Sequence, residues 1–296
     1  MTTEIRSAID FYSRHPISAE IILAKLKEAR GNLDGVRPEE LFAHDQDHYG
    51  GLAANDALAT QAHIAAGSRV ADFCAGLGGP ARYLAHRYGA DVTGIELTPA
   101  RVAGAQQLTA LVGLQDRVRV LQGDVTQVPL PDAGMDVVVS QEAFLHVPDL
   151  ARVLGEAHRV LRPGGRLAFT NWVAHRPLSE ADRELMWQGM AVAPLYSFDA
   201  QRDLLQRAGV DMRRLRALAL AGTPDPELVY SQTLPLNLRD IDGRWHLWSG
   251  AARWPVAAQS ALSSARQNAW IKHAGVTAIF LVLAAIAHVV LNRHRL

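Results

Sequence analysis

A short apolar segment that leads into a glycine-rich turn and then a helix places the strongest constraint on the fold of this chain. Residues 69–73 (RVADF) have the composition of a buried strand, and CAGLGGPARYLA follows them directly. Glycine lets the backbone turn sharply and lets a ligand approach it closely, and Pro80 suits the first turn of a helix. The pattern predicts a strand–turn–helix unit whose turn binds a ligand.

Strands and helices continue to alternate after this unit. The segments DVTGIE, RVRVLQGD, MDVVVS and RLAFTNWV are predicted strands, and helices are predicted at 99–112 and 150–161. Such alternation is typical of a parallel sheet with right-handed crossovers, and strands rich in Val and Ile suit a sheet covered on both faces. We therefore predict an α/β fold, Rossmann-like and doubly wound, with a mainly parallel sheet.

The remaining segments suggest how the chain is divided. The predicted regions are an N-terminal helical cap at 1–66, the Rossmann-like domain at 67–222 with an inserted helix near 180–196, an irregular or helical extension at 223–270, and an apolar helix at 271–292. Residues 210–220 are a candidate sixth strand.

The C-terminal region contains a run that is apolar on every face. Residues 274–291 (AGVTAIFLVLAAIAHVVL) reach the lower limit for a membrane span, which is roughly 17–25 residues. Trp270, Lys272 and Arg293 flank the run, as suits a bilayer interface. We expect a membrane anchor, with a buried helix of the core or of a dimer interface as the alternative. The N-terminus has no secretory signal, so the catalytic part is expected in the cytoplasm.

Charge and cysteine content exclude several classes of function. The chain has 30 Lys and Arg against 30 Asp and Glu, whereas proteins that bind nucleic acid normally carry a basic excess or stripe. Cys74 is the only cysteine, which excludes an intrachain disulfide and a cysteine-based zinc site. We expect no nucleic-acid partner, and we expect Cys74 to be a small buried residue behind the first strand.

Acidic residues lie at the ends of three of the predicted strands. The glycine spacing and Glu96, about 20 residues after Gly76, also fit a dinucleotide-binding fingerprint, so a nicotinamide- or flavin-dependent oxidoreductase is an alternative. However, the Asp72 carboxylate would repel a pyrophosphate, whereas it would bind the ammonium group of an amino acid. Asp124, at the end of the third strand, is well placed to accept from an adenine amino group.

These segments together resemble the class I S-adenosylmethionine-dependent methyltransferases. The resemblance rests on VADFCAGLGGPARYLA, VTGIELTP, VLQGDVTQVPLPDAGMDVVVSQEAFLHVPD and EAHRVLRPGGRLAFT. Within the class, SQEAFLHVPD is similar to the small-molecule branch, which includes the ubiquinone/menaquinone C-methyltransferases and the sarcosine/dimethylglycine N-methyltransferases. The resemblance implies S-adenosylmethionine as cofactor and methyl transfer to N, O or C of a small molecule.

The resemblance also implies a role for individual residues. The expected cofactor contacts are Asp72, Gly76 and Gly78 for the methionine part, Glu96 for the ribose hydroxyls, Leu97, Asp124 and Val125 for the adenine, Gln141 beside the transferring methyl, and Tyr49 as a cover over the cofactor. The acceptor is not identified by this resemblance. A non-catalytic subunit that binds S-adenosylmethionine and regulates a partner is a further alternative.

Three residues are candidates for catalysis. Histidine ordinarily titrates near neutral pH, which makes His146 and His48 candidate bases, and Glu142 is expected to orient the acceptor or stabilise a developing cation. His48 lies in the segment HDQDHYGG, whose His and Asp residues resemble metal ligands. Four polar residues beside two glycines are more typical of an ordered lid, so we predict no metal site.

Overall fold

The computed structural model describes residues 3–15, 17–48, 51–174, 177–193, 195–208 and 251–252. Their helices are α1 (Thr3–Ser13), α2 (Ala19–Arg30), α3 (Pro38–Phe42), α4 (Gly51–Ala62), α5 (Gly79–Tyr88), α6 (Pro99–Leu111), α7 (Leu150–Val160), α8 (Glu180–Met190) and α9 (Phe198–Arg207). Their strands are β1 (Arg69–Phe73), β2 (Asp91–Glu96), β3 (Val118–Gln122), β4 (Met135–Gln141), β5 (Leu161–Thr170), β6 (Val173–Ala174) and β7 (Ala251–Ala252).

The five strands β1–β5 form a parallel sheet in the order β3-β2-β1-β4-β5. Helices cover both faces, because one apolar cluster joins α4 and α5 to β1, β2 and β4, and another joins α7 and α9 to the opposite face. The chain reverses its direction of strand addition between β1 and β4, and such a switch point leaves a crevice at the carboxyl ends of the strands. The prediction of a Rossmann-like α/β fold is confirmed.

The N-terminal helices pack beside the sheet. Ile22 and Leu26 of α2 are buried against Leu77 of the glycine-rich turn and Leu108 of α6. Ser18 accepts a hydrogen bond from the backbone N–H of Ile21, which caps α2. Helix α1, which lies within the predicted helical cap, brings Ala8 and Tyr12 to the crevice.

The segment RPGG (162–165) precedes the predicted strand RLAFTNWV, but in the structure it belongs to that strand. It lies within β5. Met135 and Val137 of β4 pair with Leu161 and Arg166 of β5, so the paired residues are further apart along β5 than along β4. Gly164 has a φ of 76°, a left-handed conformation that glycine adopts without strain. The extra residues therefore form a bulge in a longer strand.

Other predictions fall outside the described part of the chain. These are the candidate sixth strand at 210–220, the extension at 223–270 apart from residues 251–252, and the apolar run at 274–291. Among the residues that the structure does describe, every helix is too short or too polar to cross a membrane.

Candidate active site

A cavity of about 300 Å³ lies at the carboxyl ends of β1–β4. The lining includes the residues that follow each of these strands, together with Ala8 and Tyr12 from α1. In open parallel sheets this is where ligands bind. The acidic residues that the sequence placed at three strand ends therefore meet in one cavity, namely Asp72, Glu96 and Asp124.

Asp72 lies near the end of β1 and is only 3% exposed. Its Oδ2 atom has no hydrogen-bond partner within the described ranges. Burial, and then the nearby carboxylate of Glu96, raise the pKa of Asp72 to about 7. A buried carboxylate oxygen without a donor is costly to ionise, so this group is suited to a ligand that brings a positive charge or an N–H donor.

Glu96, the last residue of β2, connects two of the ligand-binding turns. Its Oε2 accepts from the backbone N–H of Gly76 at 2.9 Å, and its Oε1 accepts from the backbone N–H of Thr98 at 2.8 Å. Each carboxylate oxygen has a second lone pair, so these bonds leave acceptor capacity for a ligand. Glu96 thus holds the turns after β1 and β2 and can still bind hydroxyl groups in the cavity.

The glycine-rich turn is packed too closely for larger side chains. Gly76 and Gly78 have φ values of 56° and 76°. A Cβ on Gly76 would lie 2.9 Å from Nη2 of Arg101, and a Cβ on Gly79 would lie 2.0 Å from the backbone oxygen of Asp45. The glycines therefore allow both the turn and the close contact with the segment 44–48.

The end of β3 forms a compact polar turn. Oδ1 of Asp124 accepts from the backbone N–H of Thr126 at 2.8 Å and from its hydroxyl at 2.7 Å. Val125, between Asp124 and Thr126 in the sequence, is buried, and Leu97 lines the cavity after β2. This arrangement provides apolar surface beside an oriented carboxylate, as an adenine ring requires.

Two non-glycine residues at the cavity edge have left-handed backbone. Cys74, directly after β1, has a φ of 61°, and Glu142, directly after β4, has a φ of 51°. Such conformations in residues with a Cβ cost about 1–3 kcal/mol and occur preferentially at functional sites. The prediction that Cys74 is buried behind the strand is wrong, because this turn directs the residue to the cavity, where it is partly exposed.

His146 is held by two hydrogen bonds in the 3-10 turn Phe144–His146. Its Nδ1 lies 3.1 Å from the backbone oxygen of Ala191, and its Nε2 lies 2.7 Å from the hydroxyl of Tyr12. Because a carbonyl only accepts, Nδ1 carries the proton and Nε2 accepts from Tyr12. Burial lowers the pKa of His146 to about 4, so the imidazole is neutral at pH 7.

Comparison with known proteins identifies the family of the domain that contains this cavity. Residues 71–169 match the family model described as "Methyltransferase domain". These residues contain the acids and the glycine-rich turn described above. The chain contains a class I, S-adenosylmethionine-dependent methyltransferase domain.

Individual relatives support this assignment. The sterol 24-C-methyltransferase of Eremothecium gossypii is 33% identical over 161 residues, which cover 52% of this chain and 43% of that protein. The sarcosine/dimethylglycine N-methyltransferase of Halorhodospira halochloris is 43% identical over 104 residues, which cover 35% of this chain and 37% of that protein. The chain thus spans less than half the length of either relative.

A solved structure shares the fold. The geranyl diphosphate C-methyltransferase from Streptomyces coelicolor A3(2), in complex with Mg²⁺, geranyl-S-thiolodiphosphate and S-adenosyl-L-homocysteine, is similar with a TM-score of 0.54 and 17% identity. The similarity covers 70% of this chain and 79% of that one. At this identity, the comparison supports the architecture of the methyltransferase domain alone.

The segment 44–48 packs against the methyltransferase domain through two ion pairs. Asp45 binds Arg82 of α5 at 2.9 Å, and both side chains are fully buried. Asp47 binds Arg101 of α6 at 2.8 Å, and Arg101 lies over the ring of Tyr12 at 4.8 Å. The two carboxylates that resembled metal ligands in the sequence are therefore the partners of arginines.

Nearly all of the predicted site residues lie around the one cavity. Those that line it are Asp72, Gly76, Glu96, Leu97, Asp124, Val125, Gln141, Glu142, His146 and His48. Gly78 lies in the turn before α5, and Tyr49 lies outside the described residues. Sequence reasoning missed Tyr12 and Arg101, which line the cavity, and Asn55, which contacts Gln141. No motif or spacing identified these three residues.

Proposed function

We propose that this protein transfers a methyl group from S-adenosylmethionine to N, O or C of a small-molecule acceptor. The observation that carries the proposal is the buried Oδ2 of Asp72, without a partner among the described residues, in the cavity of a methyltransferase domain. An ammonium group matches this oxygen in charge and in hydrogen bonding, whereas a pyrophosphate would be repelled by it. This favours the methyl donor over a nicotinamide dinucleotide.

The residues present fit the methyl donor. Asp72 and the backbone of Gly76–Gly78 would hold its amino-acid part, and Glu96 would accept from the ribose hydroxyls. The adenine would lie against Leu97 and Val125, with its amino group at Asp124. We further propose that Gln141 lies beside the transferring methyl group and that Tyr49 closes over the cofactor. The division of the chain at 66/67, 222/223 and 270/271 also stays a prediction.

The donor supplies a methyl group on a sulfonium, which is already activated for displacement. The protein is required mainly to align the acceptor with that methyl group, and alignment can lower the barrier by several kcal/mol. We propose that Glu142 and His48 orient the acceptor. His146, neutral at pH 7, would accept a proton through the hydroxyl of Tyr12.

Calorimetric titration of the purified chain tests this function. We expect S-adenosylhomocysteine, the demethylated product, to bind and NAD not to bind. Tight binding of NAD without binding of S-adenosylhomocysteine would instead identify an oxidoreductase. Profiling of metabolites with an isotopically labelled methyl donor then finds the acceptor, and binding without any labelled product would favour a regulatory subunit.

Replacement of Glu96 by alanine is expected to weaken binding of S-adenosylhomocysteine about ten- to a hundredfold. The change removes hydrogen bonds from the ribose to a charged carboxylate, which contribute about 1.5–3 kcal/mol. It also removes the acceptor for the backbone of Gly76. Asp91→Ala is the matched control, because Asp91 lies at the exposed opposite end of the same strand and should leave the affinity unchanged. Equal affinities of Glu96→Ala and the unaltered chain would contradict the assigned role.

Binding of S-adenosylhomocysteine is expected to weaken as the pH falls through 7. The pKa of Asp72 is about 7 in the ligand-free protein, and an ammonium group beside it would lower that value. Binding then releases a proton, so the dissociation constant should rise about tenfold from about pH 8 to about pH 6. The Asp72→Asn variant should bind more weakly and show a flat profile. A tenfold change retained in that variant would exclude Asp72 as the titrating group.

We also propose that residues 274–291 attach the protein to a membrane. Their composition, which is apolar apart from Thr277 and His288, and the flanking cations support this proposal. Truncation before Ala274 is expected to move the protein from the membrane fraction to the soluble fraction. If the untruncated chain is already soluble without detergent, the anchor is refuted. A membrane location would favour an apolar acceptor such as a lipid or quinone.

A further inference from the structure

A chain of side-chain hydrogen bonds leads from the buried ion pair at Asp45 to the cavity. Nε and Nη2 of Arg82 donate to Oδ2 of Asp45, at 3.2 Å and 2.9 Å. Nε2 of Gln46 donates to Oδ1 of Asp45 at 2.6 Å, and Nδ2 of Asn55 donates to Oε1 of Gln46 at 2.7 Å. Finally, Nε2 of Gln141 donates to Oδ1 of Asn55.

The donor and acceptor of every bond in this series follow from the carboxylate of Asp45 at its charged end. A carboxylate paired with arginine can only accept, so Gln46 must turn its nitrogen to Asp45 and its oxygen to Asn55. Asn55 is 0% exposed and must then turn its nitrogen to Gln46 and its oxygen to Gln141. Gln141 has only its nitrogen to offer to Asn55. Its oxygen is therefore fixed on the other side.

That oxygen, Oε1 of Gln141, is buried and has no partner in the part of the chain that the structure describes. Asp72 pairs with Val139 across β1 and β4, and Gln141 is two residues further along β4. Side chains two residues apart lie on the same face of a strand, so Asp72 and Gln141 share one face of the sheet. Within the described residues, this face thus carries two unpartnered buried acceptors, one charged and one neutral, together with the unpartnered hydroxyl of Thr170, which pairs with Gln141 across β4 and β5.

We propose that Asn55 and Gln46 are positioning residues, which fix the carbonyl of Gln141 as the second acceptor, beside Asp72, for the amino group of the bound methyl donor. The inference rests on the proposed function and extends it to residues outside the cavity lining. A primary ammonium has three N–H donors, so it can satisfy both oxygens at once. The segment 44–48 then has a defined role, because Asp45 sets the direction of the hydrogen bonds.

The test compares two ligands. One is S-adenosylhomocysteine, and the other is its analogue in which hydrogen replaces the amino group. The ratio of their dissociation constants reports the amino-group contacts, whereas a general loss of structure weakens both ligands alike. Retained binding of the deamino analogue also shows that a variant is folded.

We expect the unaltered chain to prefer the amino ligand by at least about a hundredfold, because each of the two hydrogen bonds to the charged ammonium contributes about tenfold or more. Gln141→Met, which keeps the length of the side chain, should reduce this preference about tenfold. Asn55→Leu should reduce it severalfold, because Gln141 is then free to turn. Asn55→Asp should retain most of it, because either form of the carboxyl group still accepts from Gln141.

The outcomes separate this inference from the proposed function. If the unaltered chain binds neither ligand, the proposed function fails. If it binds both ligands equally, or if Gln141→Met and Asn55→Leu keep the full preference, the function stands and the positioning chain is refuted. Equal loss of preference for Asn55→Asp and Asn55→Leu would also refute it, because an acceptor oxygen at position 55 would then make no difference. If Gln141→Met keeps the preference for the amino ligand but raises the Michaelis constant for an amine acceptor, the acceptor's amino group lies at Gln141 instead.

Discussion

Replacing Arg82 by methionine is expected to lower the free energy of unfolding by about 3–5 kcal/mol. The side chains of Arg82 and Asp45 are both 0% exposed, so the substitution leaves a buried carboxylate without its positive partner. Arg82 also donates to the backbone oxygen of Ala105 and to the hydroxyl of Thr109, and both acceptors lose that donor. Chemical denaturation monitored by circular dichroism measures the change.

A surface ion pair provides the control. Arg117 and Asp91 are joined at 3.2 Å, with side chains 51% and 55% exposed, and Arg117→Met should change the stability by less than about 1 kcal/mol. The double variant Arg82→Met/Asp45→Leu should recover much of the loss, because it removes the unpaired charge as well. A loss below about 1 kcal/mol for Arg82→Met alone would mean that Asp45 is rehydrated and that segment 44–48 is not held by this pair.

Replacing Tyr12 by phenylalanine is expected to lower kcat about a hundredfold for an acceptor that must lose a proton. The hydroxyl of Tyr12 is the group bonded to Nε2 of His146, so its removal disconnects the proposed base from the cavity. Positioned proton transfer contributes about 10²–10⁴ to a rate, and the lower end suits a base of low pKa. The variant retains the ring beneath Arg101, so binding of S-adenosylhomocysteine should change less than about twofold.

Tyr88→Phe is the matched control for that measurement. The Tyr88 hydroxyl donates to Asp56 at 2.6 Å and lies outside the cavity lining, so kcat should be unchanged. Turnover is followed with labelled methyl donor and the acceptor found by metabolite profiling. If Tyr12→Phe weakens acceptor binding but leaves kcat intact, Tyr12 acts as a cover and His146 takes no proton.

The fold and the cofactor part of the cavity follow from local sequence. In a parallel sheet the carboxyl ends of the strands meet at one edge, so Asp72, Glu96 and Asp124 could be placed together once each strand was recognised. The bounds of β2 and β4 follow from short apolar runs that end at polar residues, and β1 ends shortly before the glycine-rich turn. No long-range information was required for these predictions.

The acceptor side of the cavity depends on contacts that sequence does not reveal. Tyr12 and His146 are 134 residues apart, and neither lies in a pattern that indicates the other. Likewise, the sequence did not show that Asp45 and Asp47 pair with Arg82 and Arg101, because these arginines lie on helices far along the chain. Without visible partners, the two carboxylates resembled metal ligands. Only the packing of these elements against the sheet identifies the partners.

The left-handed backbone at Cys74 and Glu142 has a consequence for how this protein could be made more heat-resistant. Glycine at either position would relieve a conformation that costs about 1–3 kcal/mol in a residue with a side chain. Selection for thermostability alone would therefore favour glycine at these two strand ends. Because both positions lie at the rim of the cavity, we expect substitutions that raise the stability there to lower the turnover.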